Sequence, residues 1–337
     1  MHKTLRNLLL MSLAWAAVAC SRDPFDVDID DIELELEVRR VDQALFALRL
    51  DSLEQGLEKL RQEQNPFFDF YAENVLGLGS PQSPMFKDLV ASFVTDLTMN
   101  QAYKAAQERF AEPEATVEQL ETSLRYLLYH VPDFAVPECY FCISGFNESV
   151  FTGPDVLAIA LDKYLGPESP FYRRLGWERY LVRQMYPEKI PVDAMKALAM
   201  ARWEFAPQTD NLLEAMIYEG KLQYFLDATT PYLPDSTRWG YSEQQLAWAT
   251  TFEGKIWDYF IQEDLLFSTR SIDKAHFIKD GPFTNAFSNN SAPRAGAWVG
   301  HKIVSAYMRQ TGQSLAQLME NQDAQDILNR SKYVPQR

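Results

Sequence analysis

The run Glu214-Ala215-Met216-Ile217-Tyr218-Glu219-Gly220-Lys221 lies inside a longer stretch, residues 191–228, whose apolar positions recur at helical spacing. Pro207 divides that stretch, and Thr209 or Asp210 can cap the helix that carries Leu212, Leu213, Met216, Ile217 and Leu222. A glycine in a helix interior costs about 1 kcal/mol relative to alanine, so Gly220 marks either a close helix–helix contact or a nearby ligand. The packing reading is the plainer of the two.

Further helices are predicted on both sides. Upstream, the spacing predicts helices over 42–64, 66–76, 85–110 with a break near Asn100, and 115–130. Downstream, a long helix over 242–263 starts at Ser242, and helices near 298–311 and 313–330 follow a loop-rich stretch over 268–297. Strands are few. Ile32, Leu34, Leu36 and Val38 alternate with Glu33, Glu35, Glu37 and Arg39, the period of a half-buried strand. Residues 138–144 and 155–161 are short apolar runs between Pro and Gly breaks and read as two more, with 145–153 between them as an exposed turn of functional potential. With no fixed-period repeat and no clean linker, the pattern predicts one helix-dominated α+β domain with a small sheet over 32–337.

The chain has 337 residues, 47% hydrophobic and 23% charged, enough apolar material for a large core. Its formal net charge of -15 is the wrong sign for general nucleic-acid binding. The N-terminus carries Lys3 and Arg6, then an apolar run from Leu8 to Val18, then Ala19-Cys20: a secretory signal peptide over 1–19 with small residues before a cysteine, as in a bacterial lipobox. In that reading Cys20 is acylated and becomes the first mature residue. Buried acyl chains contribute about 0.8 kcal/mol per CH2, enough to hold an acidic body at a membrane. Residues 20–31 are acidic and poor in apolar side chains, the composition of a tether.

Conventional chemical motifs are scarce. Cys139-Tyr140-Phe141-Cys142 has the spacing of redox and zinc pairs, but on a strand the two thiols point to opposite faces. Idle buried cysteines are the favoured reading, with a disulfide or redox role as alternatives. After the signal peptide only His130, His276 and His301 remain, and none opens a His-Glu-x-x-His zinc motif. No serine-hydrolase elbow, phosphate loop or dinucleotide fingerprint occurs either, so no metal or other cofactor is expected. Glu214, Glu219, Glu253 and Glu263 on helices are the remaining acid–base candidates.

Three segments and the lipobox carry a family resemblance. They are Leu213-x-x-Met216-Ile217-Tyr218-Glu219-Gly220-Lys221-x-x-Tyr224-Phe225; Tyr241-Ser242-x-x-Gln245-x-x-Trp248 continuing to Glu253, Ile256, Trp257, Tyr259 and Phe260; and Ser291-Ala292-Pro293-Arg294-x-Gly296-x-Trp298-x-Gly300 continuing to Ile303, Val304, Tyr307 and Met308. With the terminal Ser331-Lys332-Tyr333-x-Pro335, the chain resembles the gliding-motility lipoprotein family GldB of Bacteroidetes over nearly all of its mature length.

The resemblance implies an envelope lipoprotein, most simply at the outer membrane, that serves gliding and the associated protein-secretion machinery beside other envelope proteins. It also implies a distant likeness to zinc metallopeptidases, in which a downstream Glu-Gly supplies the third ligand to a helix-borne His-Glu-x-x-His. Glu219-Gly220 matches that last element. With an eighteen-residue spacer to Glu219, however, the motif would fall on Lys196-Ala197-Leu198-Ala199-Met200, with both imidazoles and the catalytic carboxylate missing, and no other spacer helps because no histidine lies between His130 and His276. The expectation is an inactive zincin-like scaffold with no catalytic and no metal residues, acting by protein or peptide binding. Glu219, Gly220, Lys221, Glu253, Arg294, Gly296, Trp298 and Gly300 are its candidate cleft residues. The alternative is an envelope hydrolase, peptidase or peptidoglycan-directed, with an unconventional site around Glu219. A passive recognition surface built on Arg294 and Trp298 is a third possibility.

Overall fold

The computed structural model describes residues 25–64 and 66–336; the expected signal peptide over 1–19 and Cys20 lie outside the described residues. Four strands, β1 (Val38–Arg40), β2 (Glu138–Cys142), β3 (Val150–Gly153) and β4 (Val156–Ala160), form a mixed sheet in the order β1-β2-β4-β3. β1 and β4 run parallel to β2, with Cys139 opposite Leu157 and Phe141 opposite Ile159, whereas β3 is antiparallel to β4. A strand covered on both faces reads as an unbroken apolar run. This is why Val156-Leu157-Ala158-Ile159-Ala160 shows no alternation although every residue of it is buried.

Helices cover both faces. Cys139, Phe141, Leu157 and Ile159 point into the larger apolar cluster, and Tyr140, Cys142, Ala158 and Ala160 into the smaller one. The smaller cluster is built from α1 (Val41–Phe46), α2 (Leu53–Glu63), a short helical segment from Phe67 to Val75, and α3 (Phe86–Thr95). α4 (Leu97–Arg109) leads on to the larger layer, which holds α5 (Glu114–His130), α6 (Ile190–Arg202), α7 (Leu212–Thr229), α8 (Glu243–Gln262), α9 (Ser271–Ile278), α10 (Ala295–Thr311), α11 (Leu315–Glu320) and α12 (Ala324–Ser331). The architecture is predominantly helical α+β, as the spacing predicts.

α7 lies at the centre of the larger layer and is buried from Leu212 to Thr229 on nearly every side. α10 crosses it where Gly220 meets Gly300. A Cβ on Gly220 would lie 2.3 Å from the Gly300 carbonyl carbon, and one on Gly300 would lie 1.8 Å from the Met216 oxygen. Close packing is therefore the reason for Gly220. The start of α7 is sealed by Asn211, not by Thr209 or Asp210: the Asn211 side chain accepts from Glu214 N while the Glu214 carboxylate accepts from Asn211 N. Ser242 and Gln245 repeat the device at the start of α8.

Several expected boundaries move. Of the alternating stretch 32–38 only the last residue joins a ladder, and side chains of α5 bond two of its backbone groups instead. Leu36 N donates to Glu121 (2.9 Å), and Arg125 donates to Leu34 O (3.0 Å). Residues 145–153, expected as an exposed turn, contain β3. The helix expected over 42–64 is two helices separated by a turn at Leu50–Ser52. The break expected near Asn100 falls at Asp96, whose side chain caps α4 by accepting from Met99 N. The stretch expected as loop over 268–297 holds α9. Within the expected tether, Phe25 packs edge-on against Tyr224 at 5.0 Å, so the chain already touches the body at that residue.

Candidate functional site: a cavity of loose ion pairs

α6 carries charges on one stripe of an otherwise apolar helix. Lys189 precedes it by one residue, and Asp193 and Lys196 follow at spacings that bring side chains onto one face. This stripe faces Glu219 of α7, Asp280 just beyond α9 and Arg294 at the start of α10 across a cavity of about 390 Å3. Val192, Leu222, Leu226, Trp239 and Ile278 supply apolar wall.

Three oppositely charged pairs line it: Lys189–Asp193 at 3.4 Å, Lys196–Glu219 at 3.4 Å and Arg294–Asp280 at 3.8 Å. Two more cations reach it, Arg238, which pairs with Asp227 at 3.1 Å, and Lys279, which is exposed. Asp193 also accepts from the Tyr164 hydroxyl at 2.9 Å. The Lys189 side chain is only 7% exposed. Its removal from water pulls the ammonium pKa down, and Asp193 opposes that shift while the Arg294 and Lys196 charges add to it. Arg294 is also desolvated, but Tyr241, Asp280 and Glu219 together hold its pKa above the ordinary value.

Arg294 is aimed by a strained turn. Its φ of 52° is left-handed, a conformation that costs a non-glycine residue about 1–2 kcal/mol. The turn is fixed from several sides: the Tyr241 hydroxyl donates to Pro293 O, Thr284 Oγ1 donates to Ala292 O (2.8 Å), and Thr284 N donates to Ser291 Oγ (3.0 Å). The guanidinium donates to Trp239 O and lies 5.5 Å from the Tyr241 ring centroid. Surrounding contacts that over-determine a strained residue are typical of positions where a side chain must be held in place.

Of the eight candidate residues, Glu219 and Arg294 line this cavity. Gly220 and Gly300 form the helix crossing, and Gly296 lets α10 approach the Phe277 carbonyl, 2.9 Å from where its Cβ would be. Trp298 is 5% exposed and packs against Trp239 at 5.0 Å, so it belongs to the core and not to a recognition surface. Lys221 is buried, and its ammonium donates to Met319 O (2.8 Å) and Asn321 O (2.9 Å), carbonyls at the end of α11. Glu253 is buried elsewhere, accepting from the Tyr333 hydroxyl (2.9 Å) and Gln336 N (3.2 Å), and so fastens the C-terminal segment. Lys189, Asp193 and Asp280 were not among the candidates. The charged stripe on an apolar helix was the signal for the first two.

The cysteines and histidines also find definite places. Cys139 and Cys142 are free and point into opposite clusters; burial pushes the Cys139 thiol up to about 12 and Cys142 well above its usual value. His301 Nε2 lies 2.7 Å from Asp227 and 3.4 Å from Ser305 Oγ. A Ser-His-Asp triad needs acid and serine on different ring nitrogens. Here both meet Nε2, and Nδ1 is buried without a hydrogen-bond partner among the described residues. No group of three or more His, Cys, Asp or Glu among the described residues is placed to hold a metal ion.

Fold and cavity together define a helix-rich α+β protein with a charged internal site. The family described as gliding motility protein GldB matches residues 22–335, and the chain belongs to that family. Membership carries a role in gliding motility and a lipoprotein's place in the cell envelope. No curated protein and no solved structure matches the chain. Among the described residues no helix is long and apolar enough to cross a membrane.

Proposed function

We propose that this protein is a non-catalytic lipoprotein of the gliding and associated secretion machinery, anchored at the outer membrane through acylated Cys20 and acting by binding a protein or peptide segment in its cavity. The observation that supports this reading is the Lys196–Glu219 pair. If the eighteen-residue spacing of the peptidase-like reading is applied, these positions would be those of two metal ligands, yet a protonated lysine has no lone pair to offer a metal and supplies a positive charge itself. Met200, at the second imidazole's position, is 45% exposed. An ion pair thus stands where a peptidase would need a ligand set, beside a cavity in the size range of ligand sites.

Deletion of the gene in a gliding host abolishes spreading on this reading, and the intact gene restores it; normal spreading and export in the deletion strain would refute the role. A Cys20→Ala chain leaves the membrane fraction, and unchanged fractionation would remove the anchor. Zinc measured by elemental analysis of the full-length, tag-free protein stays below about a tenth of an equivalent. Near one equivalent, lost on Glu219→Ala, would favour the hydrolase alternative.

A further inference from the structure

Ion pairs shielded from solvent normally close up, because a charge removed from water needs a hydrogen-bonded partner. Elsewhere in this chain they do: Arg40–Asp42 and Arg125–Glu121 meet at 2.7 Å and Arg61–Asp69 at 2.8 Å. The three pairs around the cavity stand at 3.4–3.8 Å with comparable shielding of their side chains. They are opposed charges held slightly apart around an open volume; Asp193 also accepts from Tyr164, Asp280 from Gln184, and Arg294 donates to Trp239 O, while Arg294 Nε has no hydrogen-bond partner among the described residues. Of the two further cations on the lining, Arg238 is committed to Asp227 and Asp235, and Lys279 is exposed at the rim. Between the three pairs, a lone anion would face Asp193, Glu219 and Asp280, and a lone cation Lys189, Lys196 and Arg294. A ligand bearing both charges lets every charge of these three pairs acquire a second partner.

We infer that the cavity binds a zwitterion, an ammonium and a carboxylate carried together on a small amino-acid-like or short-peptide ligand. Lys189, Lys196 and Arg294 receive the carboxylate; Asp193, Glu219 and Asp280 receive the ammonium; and Leu222, Leu226 and Trp239 take the small apolar part between. This rests on the binding reading above and specifies its ligand class. A free amino acid and a short peptide with both ends free share this chemistry.

The test is titration calorimetry on the full-length protein in detergent, with trialanine, L-alanine, N-acetyl-trialanine, trialanine amide and inorganic phosphate as probes. Trialanine or L-alanine is expected to bind with a millimolar Kd or better, and the tighter of the two identifies the source. Blocking either end weakens trialanine by about tenfold or more, as do Arg294→Gln and Lys196→Met. Lys196 is partly exposed, so its variant separates loss of binding from loss of fold, which circular dichroism checks directly. Equal binding of the acetylated peptide or of phosphate would make this an anion site and overturn the inference, and equal binding of the amide would overturn it from the other side. Suppose no probe binds at about 10 mM. The zwitterion then falls, and the binding reading survives only if Lys196→Met or Arg294→Gln still fails to restore spreading to the deletion strain.

Discussion

Gly300 is a residue at which one methyl group decides whether two helices can cross. A Cβ there would lie 1.8 Å from a backbone oxygen, which no side-chain rotation relieves. Alanine elsewhere in a helix gains about 1 kcal/mol over glycine, but Gly300→Ala is expected to cost about 3 kcal/mol or more, read from the urea midpoint. An unchanged midpoint would mean that α7 and α10 stand further apart. Lys221 makes a pH prediction. Burial holds its ammonium down to about 8, against 10.5 for a free lysine, so between those values the unfolded chain carries more protons than the folded one. This residue's contribution is therefore constant below about pH 8 and favours the folded state increasingly as pH rises to about 10.5. Wild type should gain up to about 3 kcal/mol on Lys221→Met across that window. A flat difference would mean that the Met319 and Asn321 carbonyls keep the ammonium charged.

Among elements, α7 was the most legible in advance, because a helix with apolar residues on several sides and an interior glycine has to be central and tightly crossed. The sheet was legible only in its middle. β2 and β4 announce themselves as apolar runs, whereas the alternation of 32–38 is satisfied by Glu121 and Arg125 on a distant helix, and three-residue β1 has no pattern of its own. The cavity was half legible for a similar reason: Glu219 and Arg294 stand in family motifs, while Asp280 joins them only through the tertiary path of α9. Glu253 shows the converse, a motif residue whose work is to fasten another element. Glu253→Ala leaves the Tyr333 hydroxyl and Gln336 N without this acceptor, and should cost about 1–2 kcal/mol. It should also make residues 332–337 the first site of limited proteolysis. A wild-type digestion pattern would assign the C-terminal segment's hold to the Trp257–Tyr333 contact instead.

At the scale of the whole molecule, one four-stranded sheet is shared by two apolar clusters, and each cluster shields one of the two strand thiols. In a Cys20→Ala chain, neither Cys139 nor Cys142 should react with Ellman's reagent in the native state. In rising urea both should become reactive together, at the midpoint of the global transition. Reaction of Cys142 well before Cys139 would show that the smaller cluster opens as a unit of its own. The N-terminal route has a mechanical consequence. From Phe25 on Tyr224, through Leu34 and Leu36 on α5, to β1 at the edge of the sheet, the chain is fastened at successive points. A tension drawn from the N-terminal side meets these points in series, so the outer ones can yield and re-form as a shock absorber before load reaches the sheet. At β1 a pull along the strand shears its parallel hydrogen bonds to β2 together rather than peeling them singly.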